Sequence, residues 1–579
     1  MSRLADIAVA AELDPIDLAF ADLIARLSGG RASDLLARTA ALVSRERRSG
    51  HACVDLAQWA GLSLAVDGGD AAFPEVSSWR QELRNSPIVG TGDRVTPLVL
   101  DEAGRCYLHR YWSAERRLAA RILAVSSDVL DDIDVESLAS LRAELFPGDP
   151  TEPAGSTDRQ AAAADLVLQR RFAIVSGGPG TGKTTTVARI LALLLASNDR
   201  LRIELAAPTG KAAARLTESI RTQASGLPVS PTLRRVIAEL EARTIHRLLG
   251  YGGRGGGFRH DSTRPLACDV VIVDEASMID MLLMDALLDA IQSRTRLVLV
   301  GDKDQLASVE AGFVYGDLCE ASRAPAAQAL RGIAVELTKN WRFRDRPGIG
   351  TLAAAVREGD GVRALDALAD PRLGDATRAE LDTHEIISLV EADIDAVVTA
   401  DGPDAAFAAL SRFRLLCATN RGPHGVDTFN LLIERHLHER GERGAGDWYR
   451  GRPVLVTEND YTVDLFNGDV GVCFPLPDGG MRVWFPSSGG GLRAIVPASL
   501  PSHVTAWAMT VHKSQGSEFD RVVVVLPERG SPLLSRELVY TAVTRARRQL
   551  TIVGTEQVLC AAIAREFRRA SGLRDHLTA

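Results

Sequence analysis

The chain has 579 residues, 46% of them hydrophobic and 25% charged, with a formal net charge of −8. That composition is globular and excludes a disordered polymer, and at roughly 150 residues per domain the length predicts about four domains. The negative charge argues against a protein coated in nucleic acid but leaves room for a basic groove, because a cleft focuses its local charge.

The opening MSRLADIAVAAELD meets acidic residues at once and lacks a signal-peptide layout. Residues 1–147 carry helical patterns (FADLIARL, DLLARTAALVSR, SAERRLAARILAV) and no chemical motif. GDPTEPAGSTD at 148–158 reads as a domain joint. From there short apolar runs alternate with helical patterns, which predicts parallel sheets wrapped in helices. Strands are expected at FAIVS (172–176), IELAA (203–207), DVVIVD (269–274) and RLVLVGD (296–302). A second series follows at RLLCAT (414–419), VVVVLP (522–527) and LTIVG (550–554). Two series predict two similar α/β lobes, 148–335 and 336–579. Within the second, RPVLV, GDVGVCF, MRVWFP and LRAIVP alternate with turn residues over about 448–500, which predicts a small all-β insert. GYGGRGGGF at 250–258 reads as a loop, and no solenoid repeat is visible. The longest apolar run, ILALLLA at 190–196, falls far short of the ~18 residues of a membrane span. Seven scattered cysteines without a CxxC pair predict neither zinc nor a disulfide framework. No membrane partner and a cytoplasmic location are expected.

Only five lysines accompany 62 arginines, and each lies in a short polar motif: GGPGTGKT (Lys183), APTGKAA (Lys211), LVGDKDQ (Lys303), LTKNWRF (Lys339) and TVHKSQG (Lys513). GGPGTGKT, Gly177-Gly178-Pro179-Gly180-Thr181-Gly182-Lys183-Thr184, follows a strand and opens a helix, the context of a phosphate loop. Converging backbone N–H groups and the helix N-terminus favour phosphate, Lys183 is expected at the β/γ-phosphates and Thr184 at Mg²⁺. In VIVDEAS, 91 residues after Lys183, Asp274 is expected to hold Mg²⁺ through water and Glu275 to orient or deprotonate the attacking water. Gln305 is a candidate γ-phosphate contact, and Arg342 and Arg545 are candidate cross-cleft guanidiniums. Taken singly, a glutamine or an arginine is more often a solvated side chain; their case rests on the surrounding motifs.

The ordered set GGPGTGKT, APTGKAAARL, TIHRLLG, VIVDEASMID, LVGDKDQLASVEAG, LTKNWRF, MTVHKSQGSEFD and VYTAVTRARR resembles superfamily 1 helicases of the 5′→3′ branch. GRPVLVTENDYTVDLFNGDVGVC with RELVYTAVTRAR, and more faintly HACVDLA at 51–57, resembles the RecD family, motor subunits of RecBCD helicase–nucleases. The resemblance implies a mostly helical N-terminal docking domain, two RecA-like lobes and an SH3-like insert. It implies ATP and Mg²⁺ as cofactors, a single-stranded DNA track and duplex ends as substrate, and RecB-like and RecC-like partners in a heterotrimer. It further implies that Gln160 reads the adenine and that Thr209, Lys211, Thr244, His246, Thr510 and His512 line the DNA track. Taken alone, Thr157-x-x-Gln160 also fits a helix capping box, and both histidines fit structural roles. No nuclease constellation is present, so the nuclease is expected on a partner. The alternatives are a stand-alone RecD-like helicase, which usually has a longer N-terminal region, and a binding module whose ATP site is only a switch.

Overall fold

The computed structural model describes residues 13–578 apart from 30–32, 64–71, 129, 131–132, 149–157, 253–256, 345, 444–445, 461, 478, 488–489 and 532. The centres of the expected joint at 148–158 and loop at 250–258, and Thr157, lie outside the described residues.

The N-terminal domain starts with two antiparallel helices, Pro15–Leu27 and Asp34–Arg48, consistent with its helical patterns. It also holds a four-stranded sheet: β1 (Cys53–Asp55), β2 (Val89–Gly90), β3 (Leu98–Leu100) and β4 (Arg105–Leu108), in the order β1-β4-β3-β2. Strands of two to four residues carry too little alternation to announce themselves in sequence. The helix His109–Ser126 then leaves this domain and buries Tyr111, Leu118 and Ile122 against Phe172, Val271 and Leu297 of the next. At about 1.5–3 kcal/mol per buried side chain, this helix is part of the first lobe's core, and a cut at 147 would strip that core.

Strands buried on both faces must be apolar throughout, and the apolar runs are where the lobe sheets form. The first lobe contains β5 (Phe172–Gly177), β6 (Ile203–Ala207), β7 (Ala242–Thr244), β8 (Val270–Val273), β9 (Arg296–Gly301) and β10 (Ala334–Leu337), all parallel, in the order β10-β5-β9-β8-β6-β7. Phe172 and Ile174 face one core and Ala173 and Val175 the other, the period-2 alternation of a strand between two helical layers. The edge strand β10 ends two residues past the boundary expected at 335.

The second lobe contains β11 (Ala376–Ala379), β12 (Phe413–Cys417) and, after the insert, β18 (Ala508–Thr510), β19 (Phe519–Val525) and β20 (Ala546–Val553), again all parallel, in the order β11-β20-β19-β12-β18. The insert is an antiparallel sheet of β13 (Pro453–Val456), β14 (Val470–Pro475), β15 (Met481–Pro486), β16 (Leu492–Ile495) and β17 (His503–Thr505), ordered β16-β15-β14-β13-β17. Among the described residues no helix is long and apolar enough to cross a membrane, and the seven cysteines are free thiols.

Candidate nucleotide and nucleic-acid site

The glycine-rich loop runs from the end of β5 into the helix Lys183–Ser197. Gly180 and Gly182 have φ of 81° and 86°, a left-handed backbone that glycine adopts without a Cβ penalty. A Cβ on Gly180 would lie 2.4 Å from Arg342 Cβ, and one on Gly182 would displace the Gln160 amide, whose Nε2 lies 2.3 Å away. Asn340 Nδ2 donates to the Pro179 carbonyl at 2.8 Å, and Thr181 Oγ1 to Gly178 O at 2.8 Å. Lys183 Nζ folds back and donates to the carbonyls of Gly177 and Gly178 at 2.7 and 3.2 Å.

Asp274 and Glu275 follow β8 directly. Glu275 has φ 52° and ψ 39°, an uncommon conformation for a residue with a Cβ, costing of order 1–3 kcal/mol and typical of active sites. Asp274 Oδ1 accepts from the Glu275 N–H at 2.9 Å. Burial and then the Glu275 charge push the Asp274 carboxyl up from its ordinary value, and a cation beside it would reverse that.

The loop after β9 is gripped by the second lobe. Arg545, 2% exposed, donates from Nη2 to Gln305 Oε1, from Nη1 to Ser517 O and from Nε to Thr541 O, each at 3.0 Å. The Leu306 N–H donates to Thr541 Oγ1 at 2.9 Å, its carbonyl accepts from Gln515 Nε2 at 2.8 Å, and its side chain is buried in the second lobe's core. Lys183, Thr184, Asp274, Glu275, Gln305, Arg342 and Arg545 thus line one 380 Å³ cavity between the lobes, together with Pro179, Gly180 and Gly182. Arg342 Nη2 bonds Glu518 at 2.7 Å, whereas its buried Nη1 has no hydrogen-bond partner.

Among the cavity residues that escaped the sequence reading are Trp341, Arg215 and Glu518. Trp341 lies against the loop, with its backbone N–H donating to Gly180 O at 2.8 Å; the residue is 41% exposed and its ring lies beneath the Lys339 ammonium at 4.4 Å. An aromatic next to Arg342 was the available signal. Arg215, on the first-lobe helix Gly210–Ala224, reaches across to Gly516 O at 3.1 Å and Glu518 at 2.7 Å. Glu518 therefore holds Arg215, Arg342 and Arg547 together. Burial alone would raise its carboxyl, and the charges of Arg215 and Arg342 outweigh it, holding Glu518 well below the usual carboxylate range.

The helix Arg159–Gln169 is capped by Asp158, which accepts from the N–H groups of Gln160 and Ala161 at 2.8 and 3.2 Å. The Gln160 side chain turns to the phosphate loop: its Nε2 donates to Thr181 O at 3.1 Å and its Oε1 accepts from Arg189 at 2.9 Å. The expected DNA-track residues lie at or just beyond carboxyl ends of strands: Thr209 after β6, Thr244 ending β7 and Thr510 ending β18. Their hydroxyls cap local turns, Thr209 accepting from Ala212 N, Thr244 from Arg247 N and Thr510 from Lys513 N. His246 packs between Tyr251 and Phe258, with ring centroids 5.7 and 5.8 Å away. Burial and then the charge of Arg414, a second-lobe residue, lower the Lys211 pKa to about 8. His512 is lowered by burial and then by Arg569. Lys303 is paired with Asp304 and Glu336.

Residues 10–107 match the N-terminal domain of RecBCD enzyme subunit RecD, 160–311 an AAA domain and 505–553 the UvrD-like helicase C-terminal domain. RecBCD enzyme subunit RecD of Mycolicibacterium smegmatis is 42% identical over 553 residues, covering 93% of this chain and 92% of that one. The chain belongs to the RecD family. The ATP-dependent RecD2 DNA helicase of Deinococcus radiodurans is 33% identical over 452 residues, covering 74% of this RecD-family chain and 55% of the relative. A Bacteroides Pif1 helicase solved with ADP-AlF3 and single-stranded DNA aligns with a TM-score of 0.39 and 17% identity, covering 69% of this chain and 94% of that one.

Proposed function

We propose that this chain is an ATP-dependent 5′→3′ DNA helicase, working in the cytoplasm as the RecD subunit of a RecBCD-type complex that processes DNA ends for repair and recombination. The observation that carries the reading is the cavity between two parallel-sheet lobes, where Lys183, Asp274, Glu275 and Gln305 of the first meet Arg545 of the second. The donor set fits a nucleoside triphosphate with a divalent cation: a helix N-terminus, an ammonium, an unbonded buried Nη1 on Arg342 and the Thr184–Asp274 pair. Thr184 and Asp274 are the residues to hold Mg²⁺, which would supply charge neutralisation at the phosphates. Lys183 leaves its carbonyl partners for phosphate oxygens, Glu275 orients and deprotonates water, and Trp341 with Gln160 flanks the base. Arg342 and Arg545 stabilise charge on the transferring group, and their occupation couples lobe closure to the nucleotide. Thr209, Lys211, Thr244, His246, Thr510 and His512 remain the proposed strand contacts, and duplex ends the proposed substrate.

RecB-like and RecC-like subunits are the proposed partners, and the N-terminal domain is the proposed docking element. Ile16, Leu23 and Leu27 stand 60%, 45% and 54% exposed along the first helix, at spacings that place them on one face. The test of the motor reading is ATP turnover by the purified chain with and without single-stranded DNA. Stimulation that fades as salt rises supports it, because phosphate contacts release counterions; turnover indifferent to DNA would reduce the site to a switch.

A further inference from the structure

After the helix Glu556–Ala564 the chain leaves the second lobe and crosses the first lobe and the N-terminal domain. The Ala52 N–H donates to Ala570 O at 2.9 Å, the Ala570 N–H to His51 Nδ1 at 2.9 Å, and Ser571 Oγ and Gly572 N–H both donate to Glu115 at 3.0 Å. The final helix Leu573–Thr578 buries Leu573 and Leu577 in the first lobe's core.

Arg569 sits at the crossing. Its Nη1 donates to Glu310 O at 2.6 Å, Gly312 O at 2.8 Å and Ser308 Oγ at 3.2 Å, and its Nη2 donates to Ser308 O. One guanidinium thus collects three carbonyls of the segment 308–312. The same segment is bonded to the N-terminal domain, since the Gly312 N–H donates to Gly50 O at 3.0 Å, and a Cβ on Gly50 would lie 2.7 Å from Arg569 Cζ. A cation that surrenders water for carbonyl and hydroxyl oxygens gains less than one facing a carboxylate. What the planar fork does supply is a fixed geometry for several acceptors at once.

The clamped segment begins three residues after Gln305. Its upstream neighbour Leu306 is held by Thr541 and Gln515, and Gln305 by Arg545. The loop therefore leaves the first lobe's β9 and is pinned on both halves by residues of the second lobe and its tail. We propose that Arg569 is a positioning residue of the ATPase, acting through the 308–312 segment to fix where Gln305 presents its amide to Arg545 and the cavity. The Gly312–Gly50 bond then gives the N-terminal domain a short path to the hydrolysis site. This inference rests on the reading of the cavity as an ATPase.

The test is steady-state ATP hydrolysis by the full-length chain with saturating single-stranded DNA, for Arg569→Gln, Gln305→Ala and the double variant. Arg569→Gln should lower kcat by about 10- to 100-fold, the scale of a small misplacement of a reacting group, with KM for ATP within about threefold of wild type. In the Gln305→Ala background the same substitution should cost less than about twofold, because the group it positions is gone. Thermal melts check folding, and Arg569→Lys, which keeps the cation but not the fork, should give an intermediate kcat should Arg569→Gln fail to fold. Equal losses in both backgrounds, or a wild-type kcat for Arg569→Gln or Arg569→Lys, would overturn the inference. A wild-type chain without ATP turnover would overturn the motor reading and this inference with it.

Discussion

Replacing Arg545 by alanine separates its structural bonds from its proposed action on the nucleotide. The guanidinium donates to Gln305 Oε1, Ser517 O and Thr541 O, and losing it leaves three acceptors at the edge of a cavity. Bonds from a charged donor contribute about 1.5–3 kcal/mol each, but burying the guanidinium offsets part of that and water can enter from the cleft, so the stability loss is about 2–4 kcal/mol. A cross-cleft arginine typically contributes ~10³–10⁵ in rate, which is about 4–7 kcal/mol of barrier at 1.36 kcal/mol per decade. The kinetic effect should therefore exceed the stability effect. The assay pairs thermal unfolding with single-turnover hydrolysis under saturating ATP, and fluorescent-nucleotide titration checks that binding stays near wild type. A folded Arg545→Ala chain that loses less than about tenfold in rate would refute the assignment and leave Arg545 as an internal strut of the loop after β9.

Other substitutions test the rest of the site. Glu275→Gln should retain nucleotide binding and lose hydrolysis by at least about 10²-fold, and normal turnover would contradict its role with water. Lys183→Gln should abolish turnover without lowering the unfolding midpoint by more than a few degrees, because it removes phosphate charge and no core packing. Glu115 is raised to about 7 and Asp317 to about 8, in each case by burial first. Their folded values lie above the unfolded ones, so the native state binds extra protons between about pH 4 and 8 and loses stability as pH rises through that window. The unfolding free energy should fall between pH 5.5 and 8.5, by an amount on the order of a few kcal/mol, and Glu115→Gln should flatten the profile; a free energy that rises would reverse the reasoning. Leu23→Glu with Leu27→Glu should leave the chain folded and reduce its recovery with RecB-like and RecC-like subunits at least about tenfold in a pull-down, whereas unchanged recovery would move the docking surface elsewhere.

Much of the motor was legible because its physics is local. β5, β8, β9 and the 522–525 stretch of β19 are buried on both faces and read as apolar runs, and the phosphate loop places glycines where neighbours crowd a Cβ. Edge strands β7, β10 and β11 are only half-buried over much of their length, so they carry no such run and went unread. The β1–β4 sheet was missed for a different reason, since its strands are mostly buried but only two to four residues long. Arg215, Glu518 and Arg569 were not legible, because each acquires meaning through partners distant in sequence: Arg215 meets Glu518 across the cleft and Arg569 meets Ser308. With 62 arginines in the chain, nothing local distinguishes these two. The threonines show a further limit: Thr209 and Thr244, expected on the DNA track, are helix N-caps in the structure, a local role that was not read from the sequence.

The central claim is that ATP hydrolysis in the interlobe cavity moves this chain along one DNA strand. It is tested most directly by strand separation on duplexes carrying either a 5′ or a 3′ single-stranded tail, using the purified full-length chain with Mg²⁺ and ATP. The account predicts separation of the 5′-tailed duplex, dependence on hydrolysable nucleotide, and loss of activity with Glu275→Gln. An active ATPase that separates neither duplex, or that separates the 5′-tailed one equally well with Glu275→Gln, would contradict it.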